Sequence, residues 1–292
     1  MKFGLMKKIN TWGWLFVIPA ALLIFIMGFY PMVDSFILAL HSGKGDVQTF
    51  AGVGNFIRLT QDPTFRASLG NVFFYLILEV PIMLVFALIL ATLLNEEKLK
   101  FRGIYRILIF LPCATSLVSV SAIFRQFFSG DGLINSLLLY LNVIKNPINF
   151  LTQPVWAKLV IIVALLWRWT GYNMIFYLAG LQNIDKNIYE AATIDGASSV
   201  QQFFKFTVPL LQPIIILTAI LSTNGTLQIF DEVKNLTRGG PGNATISVSM
   251  YIYNLVFAYV PQFGYASAVS YTVFFLVALL ALIQMQIGER EQ

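Results

Sequence analysis

EAATIDGASSVQQFFKFTVPLLQP, residues Glu190–Pro213, stands out in a chain that is apolar over most of its length. Acids, glutamines, a glycine and a run of phenylalanines crowd into it. Asp185 can cap a first helix with its body at Lys186–Ile194, and Gly196 permits the left-handed turn that ends it. Ser198 begins a second helix with Gln201 three residues on, a Ser-x-x-Gln capping box. Phe203, Phe204 and Phe206 follow. Pro209 is then expected to open the next apolar run, where its missing N–H does no harm. The pattern predicts a helix–turn–helix elbow with an acidic first arm and an aromatic second arm. The plainer reading is an amphipathic helix lying on lipid. Such helices are usually basic, and this one sets Glu190 and Asp195 against Lys186 and Lys205, which favours a protein partner.

The surroundings fix the class. Hydrophobic residues make up 58% of the 292, charged residues 11%, and the mean hydropathy is +0.75. A soluble chain of this size would expose too much apolar surface, so the sequence reads as an all-α polytopic membrane protein, a single domain over residues 1–292. A bilayer core of about 30 Å needs roughly 20 helical residues. Six segments qualify: Trp12–Leu40, Leu69–Leu94, Ile104–Phe128, Trp156–Gln182, Val208–Phe230 and Tyr265–Ile287. The first starts basic (Lys7, Lys8), but its apolar run is too long for a signal peptide.

Lys and Arg set the orientation. The side holding both termini carries Lys2, Lys7, Lys8, Lys98, Lys100, Arg102, Arg106, Lys186, Lys205 and Arg290, ten in 53 residues against six in 89 opposite. Both termini and the elbow are therefore expected in the cytoplasm. The net charge of +5 needs no nucleic-acid partner, since it is what this rule demands. One cysteine (Cys113) and one histidine (His41) leave no disulfide framework, zinc site or catalytic dyad. No G-x-x-x-x-G-K-[ST] phosphate loop occurs, so the chain is not expected to bind ATP by that device or to be an enzyme.

At this point the residues match a known pattern. Glu190-Ala191-Ala192, Asp195-Gly196-Ala197, Phe203/Phe204, Val208-Pro209 and Pro213 resemble the EAA motif of permease subunits in binding-protein-dependent ABC importers. Trp167 to Asn173, Ala179 to Gln182 and Gly239-Gly240-Pro241 resemble the carbohydrate-uptake branch, nearest the lactose and oligosaccharide subgroup. Phe206-Thr-Val departs mildly from the family's usual Ile-Thr-Leu. The resemblance implies the type I importer fold, six spans with the elbow as coupling helix. Glu190, Ala191, Ala192, Asp195, Gly196, Ala197, Phe203 and Phe204 would contact a separate ATPase. It also implies a second permease as heterodimer partner, two ATPase copies that bind ATP and magnesium, and a solute-binding protein. This chain itself would hold no cofactor. The location implied is a bacterial or archaeal plasma membrane.

Charged residues inside spans are costly, so each is a site candidate. Arg168 and Glu79 lie near mid-span; either both satisfy buried partners, including each other, or Arg168 joins Trp169, Tyr172 and Asn173 along a polar cavity wall. Trp169, Tyr172 and Asn173 share a helical face with ring faces and polar tips suited to sugars. Ser222, Thr223, Asn224, Thr226 and Gln228, followed by Asp231-Glu232, form a second polar face, which could equally be interhelical glue. Gly239-Gly-Pro-Gly242, leading to Met250-Tyr-Ile-Tyr, is expected to receive the binding protein. A self-contained secondary transporter, or an ABC permease for glycerol phosphate or a polyamine, are the rivals. A phosphate would want more cations, and a polyamine more acids, than the spans supply.

Overall fold

A computed structural model describes residues 2–45, 47–96 and 98–290, with side chains from 13 to 288 within those ranges. The side chains of Lys2, Lys7, Lys8 and Arg290, used for orientation, lie outside the described residues. Among the described residues, five helices are long and apolar enough to cross a membrane: Gly13–Ala39, Pro63–Asn95, Pro154–Gln182, Ser199–Leu227 and Phe263–Gly288. They are called here the first, second, fourth, fifth and sixth spans.

The third span is broken. Arg102–Ala114 and Leu117–Phe127 meet at 97°, where the sequence predicts one straight helix over Ile104–Phe128. Pro112 removes a donor from the last turn of the first piece, and Thr115 and Ser116 then run extended, with ψ of 154° and 127°. The Thr115 hydroxyl turns back onto the Pro112 carbonyl at 2.7 Å.

The fifth span also differs from expectation. It runs from Ser199, straight through Pro209, and stops at Leu227; a separate short helix, Asp231–Leu236, follows. A proline ring clashes with the carbonyl four residues back, which for Pro209 is that of Lys205. Lys205 is the centre of a π turn, Phe203–Thr207, and the Val208 N–H reaches back five residues to the Phe203 carbonyl. The wider turn makes room for the ring. The first span solves the same problem at Pro31, four residues after Met27, the centre of a π turn at Phe25–Phe29.

The chain divides into two compact units. The larger comprises residues 63–251 and those from 273 on. Its core joins the second, fourth and fifth spans through Ala87, Ala91, Met174, Tyr177, Leu178 and Leu211. Small residues let the helices approach. A Cβ on Gly171 would stand 2.0 Å from the Ile109 carbonyl oxygen, and one on Gly180 would stand 2.3 Å from a methyl of Ile214. Polar ties supplement the packing: Tyr177 Oη to Thr218 Oγ1 at 2.8 Å, and Gln284 Nε2 to Thr223 Oγ1 at 2.8 Å.

The smaller unit, residues up to 62 with 252–272, contains a two-stranded hairpin, His41–Lys44 with Val47–Phe50, that the sequence reading does not anticipate. Asn55 Nδ2 donates to the carbonyls of Ala39 (2.8 Å) and His41 (2.7 Å), clamping the hairpin to the end of the first span. The Tyr265 hydroxyl donates to Asp62 at 2.5 Å, with the Arg58 guanidinium 3.9 Å above the ring.

The close approach at Gly171 gives a direct test. Gly171→Ala should lower the melting temperature of the detergent-solubilised protein, at a cost of about 1–3 kcal/mol for overpacking. An exposed control, Gly103→Ala, should leave the melt unchanged, because nothing stands within 4 Å of a Cβ there.

Candidate functional site

The elbow forms as its caps dictate. Asp185 accepts the Asn187 N–H at 3.0 Å and opens the first arm, Lys186–Ile194. Gly196 takes φ of +80°, a conformation with no steric cost for glycine. Ser198 and Gln201 close the capping box at 3.3 and 2.8 Å. Of the motif residues, Ala192 is buried, Ala197 and Phe203 are half-buried, and Glu190, Ala191, Asp195, Gly196 and Phe204 are exposed. The two phenylalanine rings meet edge to face at 5.0 Å. The result is an apolar surface turned outward: Ile194 is 86% exposed, Val200 67% and Phe204 65%, with two carboxylates beside them.

A cavity of about 550 Å³ opens among the second to fifth spans of the larger unit. Arg168, Trp169, Tyr172, Asn173, Ser222, Thr226 and Gln228 line it. Asn224 does not. Ser222, Gly225 and Thr226 sit three and four residues apart on one helical face, while Asn224 lies off that face, exposed, accepting from the Gln228 amide.

Within the cavity the fourth span supplies the aromatic wall. Tyr172 meets Trp169 at 5.7 Å and Phe176 at 5.1 Å, both edge-on. Asn173 donates to the Trp169 carbonyl (3.1 Å) and accepts from Ser222 (3.4 Å), which ties the two polar faces together.

Arg168 and Glu79 find separate partners. Arg168 Nη1 donates to the carbonyls of Thr115 (3.2 Å) and Pro112 (3.5 Å), at the break of the third span. Glu79 accepts from Thr226 at 3.1 Å, deep in the wall. Glu79, Asp231 and Glu232, which the sequence reading does not assign to the path, also line the cavity. Glu232 is buried and accepts from the Trp169 side chain. Its signal was there to read: two acids opening a short helix suit the positive end of its dipole. The loop after the short helix Asp231–Leu236 is fastened to the second span, Asn71 donating to the Asn243 (3.2 Å) and Ile246 (3.0 Å) carbonyls and Tyr75 to that of Thr245 (3.4 Å).

Comparison with known proteins adds an independent line. The family of binding-protein-dependent transport system inner membrane components matches residues 64–288. A lactose transport system permease protein of Rhizobium radiobacter is 52% identical over 274 residues, 93% of this chain and 92% of that protein. A trehalose/maltose transport system permease protein of Thermococcus litoralis is 32% identical over 94% of this chain and 93% of its own length. Among solved structures, a chain of a bacterial ABC transporter involved in import of the acidic polysaccharide alginate superposes with a TM-score of 0.87. It is 23% identical and covers 99% of both chains, so the fold is shared.

The Glu79–Thr226 contact is open to measurement. Thr226→Val leaves a buried carboxyl without its donor and should destabilise by about 1–3 kcal/mol. Thr226→Ser keeps the hydroxyl and should melt close to the parent in detergent.

Proposed function

Since the chain belongs to the binding-protein-dependent transport system inner membrane component family, we propose that it is one half of the translocation path of an ATP-driven importer of neutral di- or oligosaccharides. The observation that carries this is the cavity. Trp169 and Tyr172 offer ring faces to sugar C–H surfaces, and Asn173, Ser222, Thr226 and Gln228 offer donors and acceptors for hydroxyls. The named cargoes of the lactose and trehalose/maltose relatives agree with it.

The elbow is the seat for a separate ATPase, in two copies that bind the ATP and magnesium. A second permease completes the pore. A solute-binding protein docks on the opposite side, near Gly239–Gly242. ATP binding favours the state open to that protein, and hydrolysis returns the site inward. Both termini lie in the cytoplasm, where the elbow must be to meet its ATPase.

A basic cargo such as a polyamine is the second reading, favoured by the three carboxyls at the cavity, Glu79, Asp231 and Glu232. Two of them already accept from Thr226 and Trp169, which leaves the neutral sugar ahead.

Three experiments test these assignments. Tyr172→Ala should cut sugar uptake several-fold per assembled complex while basal ATP hydrolysis persists. Normal uptake by that variant, or competition by polyamines but not by disaccharides, overturns the cargo assignment. Gly196→Pro cannot adopt φ of +80° and should abolish uptake while the protein still inserts. Cysteines at Ser199 and Asn243 should label from opposite faces of the membrane, Ser199 from the cytoplasm alone.

A further inference from the structure

Two polar ties hold the elbow to itself and to the fifth span. Tyr189, on the first arm, meets the buried Thr207 hydroxyl at 3.0 Å across 18 residues, and Thr207 is the last residue of the π turn below Pro209. Gln202, on the second arm, donates to Thr193 Oγ1 (2.9 Å) and to the Ala197 carbonyl (3.1 Å). Thr193 in turn donates to the Tyr189 carbonyl at 2.7 Å.

The spans that enter and leave the elbow are also locked together. Gly180, near the end of the fourth span, lies so close to the fifth that an added Cβ would come within 2.7 Å of Leu211. The fourth span, the first arm and the fifth span thus form a closed triangle. It is fastened at Gly180–Leu211 and at Tyr189–Thr207. One continuous helix then leads from Ser199 to Ser222, Gly225 and Thr226 at the cavity.

We propose that Tyr189 is a positioning residue for transport. Its bond to Thr207 makes the elbow and the fifth span one rigid lever, so that displacement of the elbow reaches the cavity wall undiminished. Interfaces and packed cores pass on motion as rigid bodies only where nothing along the way is slack. Without the tie, the first arm is left to the Gln202 bonds and can shift about Gly196 and the Asn183–Asp185 connection relative to the spans. The inference rests on the reading of the elbow as the ATPase seat.

The test uses the assembled transporter, with its second permease and ATPase, in proteoliposomes. Sugar imported per ATP hydrolysed is measured for Tyr189→Phe, Thr207→Val and Thr207→Ser, alongside the thermal melt of each complex. Loss of one hydrogen bond corresponds to roughly a fivefold change in a two-state equilibrium. Tyr189→Phe and Thr207→Val should each lower sugar per ATP by about that factor, with ATPase rate and melt near the parent, and the double variant should be no worse. Thr207→Ser, which retains the hydroxyl, should couple normally. A photo-cross-linker at Val200 reports in parallel whether the elbow touches the ATPase. Cross-linking with unchanged sugar per ATP in both Tyr189→Phe and Thr207→Val overturns the lever and leaves the seat standing. An absent cross-link in the parent complex removes the seat and the lever together. A loss of coupling that merely follows a lower melt, and that Thr207→Ser fails to rescue, overturns the positioning role.

Discussion

A peptide group that leaves the helical pattern inside a bilayer must find another partner, because no water is there to supply one. That constraint is sharpest at the break of the third span, where the carbonyls of Pro112 and Thr115 face Arg168. The guanidinium carries its charge to the negative end of a half-helix, the place where a cation is best accommodated. The cavity depends on this arrangement. The break leaves Leu117 on the cavity lining, and without it Arg168 would lose both carbonyl partners. An arginine of the cavity wall thus also holds the break.

Hydropathy made the spans legible, since lipid imposes one rule on every residue that meets it. The elbow was legible for a different reason: Asp185, Gly196, Ser198 and Gln201 are local devices, each complete within four residues. What stayed hidden depends on contacts far apart in sequence. Glu79 and Thr226 are separated by 147 residues, and nothing around either one announces the other. The bend at Thr115–Ser116 needs Arg168 from the next span to be tolerated. Asn224 shows the converse, since polarity groups it with Ser222 and Thr226 while helical phase leaves it outside the cavity lining.

Proline misled in a subtler way. Read alone, Pro209 marks a helix start, and it would do so in most chains. The π turn at Phe203–Thr207 lets the helix run through it, as the turn at Phe25–Phe29 does at Pro31. The same device therefore serves twice, once within the first span and once where the elbow joins the fifth span. Only at the second place does continuity link an outward-facing surface to a cavity wall.

The position of Glu79 bears on how such a chain enters a membrane at all. The second span is inserted long before the fifth is made, so Glu79 must cross without Thr226 to receive it. An acid at the centre of an inserting helix costs about 2.5–3.5 kcal/mol, while each Leu, Ile, Phe or Val returns about 0.3–0.6 kcal/mol. The second span has the highest hydropathy of the five unbroken ones, 2.6, and is the longest at 33 residues. Apolar side chains such as Ile77, Val85, Phe86 and Leu93 sit on exposed positions, away from the packing of this chain. Those side chains serve the nascent chain, carrying a carboxyl into the bilayer ahead of the partner that will accept it.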